Sequence, residues 1–168
     1  MRAKVGAQVK KGGKVKTQGA LAIEADKVDN GAGSIAGNRG VVIDARQVDN
    51  RAGEIASQGV ATLNLTEQLD NRGGKVVADS GLGITAPRVL NQDKGVIASR
   101  DGLRLSATAL FNGGGGLLSS QKGSDVSLAG AFENQAGSLD SRGFLTVKSA
   151  WLDNQGGTLS SAGALAVT

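Results

Sequence analysis

The chain lacks cysteine and histidine, and several other residue types are scarce. Among its 168 residues there is one proline, and aromatic side chains make up only 2%. The absence of cysteine excludes disulfides and thiolate chemistry, and the absence of histidine excludes imidazole acid–base catalysis and the common zinc sites. Because aromatic bulk is almost missing, the core must come from Val, Leu, Ile and Ala, and we expect it to be thin.

Long hydrophobic runs are also absent. The chain has no run of 18 apolar residues, so no membrane insertion is expected, and its N-terminus lacks the apolar stretch of a signal peptide. The length fits one domain or a piece of a longer protein. If the native protein is exported, we expect this chain to come from its interior, with Met1 added as a start residue.

Positive charge is concentrated at one end. The formal net charge is +4, but the first 16 residues contain six basic and no acidic residues, which leaves 13 basic against 15 acidic residues elsewhere. A basic end on a near-neutral body is not a nucleic-acid groove, so no nucleic-acid partner is expected. The lysines of this end are candidates for binding sulfated glycans, with a solvated chain end as the simpler interpretation. They are Lys10, Lys11, Lys14 and Lys16.

A repeat anchored on asparagine dominates the sequence. The stretch VDNGAG at 28–33 returns as VDNRAG at 48–53, LDNRGG at 69–74 and LDNQGG at 152–157. Seven of the nine asparagines recur at spacings of 20, 21, 20, 21, 22 and 20 residues: Asn30, Asn50, Asn71, Asn91, Asn112, Asn134 and Asn154. Self-similarity at such a period is typical of proteins built from stacked repeats.

Each unit has the same plan between its asparagines. An aliphatic residue such as Ile35 follows the asparagine, a small residue and a polar turn come next, and then side chains alternate, as in Leu21-Ala-Ile23-Glu-Ala25. Alternation with period two predicts a strand with one buried face, and no helical stripe is long enough for a helix. A unit of this kind cannot bury its inner face alone, so copies must stack. The sequence therefore predicts an all-β parallel β-helix, a solenoid of about eight coils of 20–22 residues.

The residues of the repeated corner have expected roles. Asparagine tolerates left-handed backbone and bonds locally, so it suits a sharp turn, and stacked amides can bond along the axis. Glycines are expected at the next positive-φ or crowded position: Gly33, Gly53, Gly74, Gly95, Gly137 and Gly157. Acidic residues directly before the asparagine are expected to point outward: Asp29, Asp49, Asp70 and Asp153.

The unit LDN-x-GG-x-hydrophobic-x-S-x-G-x-L-x-L-x-A-x-x-L-x-N resembles the haemagglutinin repeat of filamentous haemagglutinin, an adhesin exported by two-partner secretion. Similar repeats occur in contact-dependent growth-inhibition exoproteins. The resemblance runs from about Lys10 to Thr168. It implies a right-handed parallel β-helix shaft, exported through an outer-membrane transporter to the surface of a Gram-negative bacterium, in a parent protein that engages host-cell receptors or glycans. Residues 1–9 are expected to form an incomplete first coil, and residues 111–134 depart from the pattern with a glycine-rich turn.

Three chemical interpretations compete with a structural one. Stacked Asp29, Asp49 and Asp70 could bind Ca²⁺ to relieve their repulsion, but the column is interrupted at Leu90 and Phe111. Clustered carboxylates could hydrolyse polysaccharides, yet no pair stands out and no long loop interrupts the repeat. A column of serines lacks a suitable base, and small inward residues explain it: Ser57, Ser99, Ser120, Ser141 and Ser161. We therefore expect no enzyme activity, cofactor or metal site.

Two other repeat folds fit less well. Leucine-rich repeats also have an asparagine ladder, but there the asparagine lies closer to the alternating strand, and left-handed hexapeptide helices need multiples of six residues. The sequence thus predicts one β-helix segment, residues 1–168, cut from a longer exoprotein. Its expected function is the structural shaft of a cell-surface adhesin. The alternatives are the stalk of a growth-inhibition exoprotein and a glycan- or heparin-binding module that uses the basic N-terminal coil.

Overall fold

A computed structural model describes Arg2–Ala3 and residues 12–168, and within these residues the chain forms strands and turns without a helix. Eight four-residue strands form one sheet: β2 (Lys14–Thr17), β4 (Ser34–Gly37), β6 (Glu54–Ser57), β8 (Lys75–Ala78), β10 (Val96–Ser99), β12 (Leu117–Ser120), β15 (Ser138–Ser141) and β18 (Thr158–Ser161). Eleven strands form the other: β1 (Arg2–Ala3), β3 (Ala20–Asp29), β5 (Gly40–Asp49), β7 (Val60–Asp70), β9 (Leu82–Leu90), β11 (Gly102–Phe111), β13 (Gly123–Leu128), β14 (Ala131–Glu133), β16 (Phe144–Lys148), β17 (Trp151–Asp153) and β19 (Leu165–Val167).

Both sheets are parallel, and each strand pairs with its equivalent in the next coil. Ile35 pairs with Ile55, which pairs with Val76, so the pairing register equals the length of one coil. The repeat therefore winds into a β-solenoid of about seven turns, which confirms the predicted all-β parallel architecture and lies close to the eight coils expected. None of the described residues belongs to a helix that could span a membrane.

The core is a column of aliphatic side chains inside the coils. In β3, Leu21 and Ile23 point inward, but Asp26 and Lys27 are exposed in succession before Val28 is buried again. This change of phase means that the long strand bends, so each coil has three inward-facing sides with the short strand as the third. Phe132 is the only aromatic residue in this core among the described residues, in keeping with a thin interior filled by Val, Leu and Ile.

Longer coils accommodate their extra residues at defined places. Gly114 and Gly115, in the glycine-rich turn, have φ of 63° and 81°. The long strand is also broken after Leu128, because Ala107 pairs with Leu128 at a spacing of 21 residues whereas Leu110 pairs with Phe132 at 22. Of the predicted incomplete first coil, Arg2–Ala3 pair with Ala22–Ile23, and residues 4–9 lie outside the described part.

Candidate functional site

The recurring asparagines form one continuous column of hydrogen-bonded amides inside the solenoid. In each pair of neighbouring coils, the Nδ2 of one asparagine donates to the Oδ1 of the next. The six distances from Asn30 to Asn154 are 2.7, 2.6, 2.7, 2.8, 2.7 and 2.6 Å. The side chains from Asn30 to Asn134 are fully buried, so these bonds replace water for groups that have no other access to it.

Each amide also ties its own corner to the backbone of the next coil. Asn91 Nδ2 donates to the carbonyl oxygen of Gly95 and to that of Leu117, both at 3.1 Å. At the two ends of the column the asparagine side chains make fewer hydrogen bonds. The buried Oδ1 of Asn30 has no partner among the described residues, and Asn154 Nδ2 donates only to the Gly157 carbonyl, at 3.2 Å.

The glycines of the corner are required because the chain is crowded there. A Cβ placed on Gly53, Gly74 or Gly157 would lie against the backbone carbonyl oxygen of the asparagine one coil earlier. The same glycines would also press on the Oδ1 of their own asparagine, at 2.8 Å for Gly53. These positions therefore need glycine for space, and their φ angles are not in the left-handed region.

The left-handed turn lies elsewhere than the sequence predicted. None of the column's asparagines has a positive φ; instead the residue just before the corner glycine does, with φ of 51° at Ala32, 52° at Ala52 and 54° at Ala136. The expectation that asparagine itself occupies this conformation is wrong. The asparagine side chain is directed into the coil, where it stacks, and the residue with positive φ comes two or more positions later in the turn. Alanine in this region costs about 1–2 kcal/mol, so the packing of the corner must offset that strain.

The acidic residues before the asparagines were predicted to point outward, but Asp49 and Asp70 are not freely exposed to solvent. Asp70 is buried and Asp49 is half-buried, because each carboxylate accepts a hydrogen bond from the backbone N–H two residues on. Arginines in the same turns neutralise them, with 2.6 Å between Arg51 Nη2 and Asp49 Oδ2 and 2.6 Å between Arg72 Nη2 and Asp70 Oδ2. The hydrogen bond from Arg51 holds the pKa of Asp49 below its usual value.

These arginines are the corner residues that sequence reasoning missed. They follow the asparagine directly in VDNRAG and LDNRGG, which was the available signal. Arg51 also lies 3.7 Å from Asp70 in the following coil, so its guanidinium lies between two acidic residues of neighbouring coils. Across the described part of the chain, no three acidic side chains come together in a group that could hold a metal ion.

The serines bond across the second turn. Ser57 Oγ donates to the Val60 carbonyl at 3.1 Å, and Ser141 Oγ donates to the Phe144 carbonyl at 2.7 Å. Ser120 Oγ lies 2.8 Å from Ser124 Oγ. The Oγ of Ser99 is buried and has no partner in the described part of the chain. The hydroxyls of Ser57 and Ser141 therefore close the turn that follows the short strand.

Only two of the four candidate glycan-binding lysines can be placed. Lys14 and Lys16 lie on β2, both exposed and on the same outer side of the short-strand sheet. Lys10 and Lys11 lie outside the described residues. The equivalent positions of the next coil are Ser34 and Ala36, so this positive charge does not continue along the rod.

Comparison with known proteins bears on the repeat itself. A family model described as haemagglutinin repeat matches residues 12–73 and again residues 61–168. Comparisons with curated proteins and with solved structures give no significant match. The two matched ranges overlap and together span every coil with an asparagine corner. The chain belongs to the haemagglutinin repeat family.

Proposed function

We propose that this chain is part of the structural shaft of a secreted, adhesin-type exoprotein on the surface of a Gram-negative bacterium. In this role a two-partner-secretion transporter exports the longer parent protein, and the rod holds binding regions of the parent away from the cell, where they meet host receptors or glycans. Membership of the haemagglutinin repeat family supports this role. The observation that carries it is the unbroken amide column, which runs through six successive coil contacts.

The plain surface of the rod also supports a mechanical role. From β2 onward, the longest connections between strands have only five residues, at 91–95 and 112–116. Binding and catalytic residues are concentrated in longer loops carried by a scaffold. A solenoid without such loops offers length and stiffness, since each coil is held by its neighbours on both sides. We therefore infer that the chain is not an enzyme and needs no cofactor.

Deleting whole coils tests this proposal. Removal of residues 71–111 joins Asp70 to Asn112 and takes out two coils, while Asn50 and Asn112 become neighbours in the column. The shortened chain should remain folded, with a maximum dimension in small-angle scattering smaller by about 10 Å. The parent protein carrying the same deletion should still attach to host cells.

A deletion of non-integral length provides the control. Removal of 71–101 joins Asp70 to Gly102, so the corner sequence is lost and the register is broken. This variant should unfold, whereas the whole-coil deletion should not. If the whole-coil deletion folds and is displayed but the parent no longer attaches, the coils themselves contain the binding site and the shaft role is wrong.

Two alternatives remain. Exposed Lys14 and Lys16 favour a glycan-binding module, which predicts retention on immobilised heparin and its loss when all four basic-end lysines become Gln. Replacing four exposed lysines elsewhere by Gln, namely Lys27, Lys75, Lys94 and Lys148, removes the same charge and is the matched control. The second alternative, the stalk of a growth-inhibition exoprotein, has the same rod. It predicts that the parent arrests neighbouring bacteria on contact, which a co-culture assay measures.

A further inference from the structure

A groove runs across the outer face of the long-strand sheet. It has a volume of about 300 Å³, and its lining includes Val60, Gly81, Gly83, Gly102 and Phe144. Val60 and Phe144 are among the few large apolar side chains that are exposed, at 54% and 52%. The Phe144 ring lies across Gly123, so this face of the rod combines a shallow hollow with a half-exposed apolar ring.

Two glycines of this groove, Gly83 and Gly102, are not required by the fold, whereas Gly123 is covered by the Phe144 ring. A Cβ added to Gly83 would meet nothing within 4 Å, and at Gly102 the nearest atom would be 3.7 Å away. Neither residue has a positive φ. The corner glycines, by contrast, have no space for a side chain. Glycine in a strand interior weakens the strand and often marks a place where another molecule approaches closely.

Two charged side chains in the groove also lack partners. Arg104 and Asp125 are register partners in β11 and β13, yet no ion pair joins them or involves either one in the described part of the chain. Elsewhere charges of neighbouring coils do pair, as in Lys122 with Asp101 at 2.6 Å. The groove therefore presents one positive and one negative group that are free to meet charges of another molecule.

A two-fold rotation makes the groove face of one copy complementary to the same face of a second copy. An axis parallel to the strands, placed between β11 and β13, brings a second copy face to face with the first and reverses its coil direction. Arg104 then lies opposite Asp125 of the second copy, and Asp125 lies opposite its Arg104. The Phe144 ring lies over Gly123 on β13, so in both directions it lies opposite Gly102 of the other copy, the register partner of Gly123 on β11. Each copy thus offers a ring where the other has a hollow.

We infer that this face binds a second copy of the chain, side by side and antiparallel, through an isologous contact. The overlap comprises six coils and about five residues of each strand, or about 29 Å by 17 Å. That area of about 500 Å² per partner lies below the usual size of a stable interface, so the dimer is weak and reversible. The contact concerns the sides of the rod and does not depend on export or adhesion.

Charge reversal tests the contact. In sedimentation velocity, Arg104→Asp alone and Asp125→Arg alone should each weaken dimerisation at least about tenfold, because two like-charge pairs are created across the axis. The double variant should return to nearly the wild-type dissociation constant, since both opposite-charge pairs are restored. Lys94→Asp changes the net charge by the same amount as Arg104→Asp at an exposed corner residue outside the groove, and should have no effect.

A second variant tests the shape of the contact. Gly102→Val fills the hollow that receives the Phe144 ring, and the nearest atom to an added Cβ there is 3.7 Å away, so folding should be preserved while dimerisation is lost. Thermal unfolding of the same sample checks the fold. A wild-type chain that stays monomeric overturns the inference. A dimer unaffected by Arg104→Asp and Gly102→Val also overturns it, because the copies would then associate elsewhere, for example through their coil ends.

Discussion

Replacing Asn91 by Ala is the sharpest test of what the amide column contributes. Asn91 lies mid-column, accepts from Asn71 Nδ2 at 2.7 Å and donates to Asn112 Oδ1 at 2.8 Å. Truncation leaves the buried Asn112 Oδ1 without a donor, which costs about 1–3 kcal/mol. Loss of the bonds to the Gly95 and Leu117 carbonyls adds about 1 kcal/mol. Because Asn91 has no positive φ, no strain is added, and we expect a loss of about 2–4 kcal/mol in total.

Urea unfolding measures this loss, and two variants calibrate it. Gln92 is half-buried and its side chain makes no hydrogen bond within the described part of the chain, so Gln92→Ala should cost within about 0.5 kcal/mol. Asn154→Ala should be milder than Asn91→Ala, because Asn154 Nδ2 bonds only within its own coil. If Asn91→Ala lowers the midpoint no more than Gln92→Ala, the column does not stabilise the fold and the reasoning is wrong.

Three further predictions concern the corner and its charges. Gly74→Ala should lower the free energy of unfolding by at least about 1–3 kcal/mol through its clash with the carbonyl of Asn50, whereas Gly83→Ala should raise it by about 0.5–1 kcal/mol; thermal melts compare them. Asn91→Asp buries a carboxylate without a cationic partner, so the pKa of this carboxylate should rise. The variant should be less stable than the wild type at neutral pH, and urea titrations should show this difference shrinking as the pH is lowered towards about 4. Because Arg51 lowers the pKa of Asp49, the ionised carboxylate stabilises the fold above its unfolded pKa, and Asp49→Asn should reduce the stability lost below about pH 4.

The regular part of the fold could be predicted from the sequence because it depends on periodicity. The spacing of the asparagines set the coil length, and alternation such as Leu21 and Ile23 identified the inward-facing positions. Stacking follows from these two patterns, since a coil with one apolar inner face is stable only against its neighbours. The bend within the long strand was not predicted, because a change of phase over Asp26 and Lys27 resembles the end of a strand.

The corner geometry could not be predicted from residue preferences alone. Ala32 and Ala52 have left-handed backbone that alanine rarely adopts, so a rule based on single residues assigned that conformation to asparagine. A better signal was present, because the same position holds glycine in other coils, at Gly73 and Gly156. The groove was missed for a different reason. Which glycines have room for a side chain depends on neighbouring coils, and that information appears only when the coils are stacked.

The column of asparagines gives the rod a direction. From Asn30 to Asn134 each Nδ2 donates to the coil that follows in the sequence, and from Asn50 to Asn154 each Oδ1 accepts from the coil before. A stack that has folded from its N-terminal side therefore ends in an amide with a donor ready for the next asparagine, as Asn154 presents here. The N-terminal end of the column is an acceptor, the Oδ1 of Asn30, which has no partner among the described residues. The two ends of the column therefore differ, and only the C-terminal end can donate to an incoming coil. A chain that emerges gradually can fold one coil at a time onto the coil already in place.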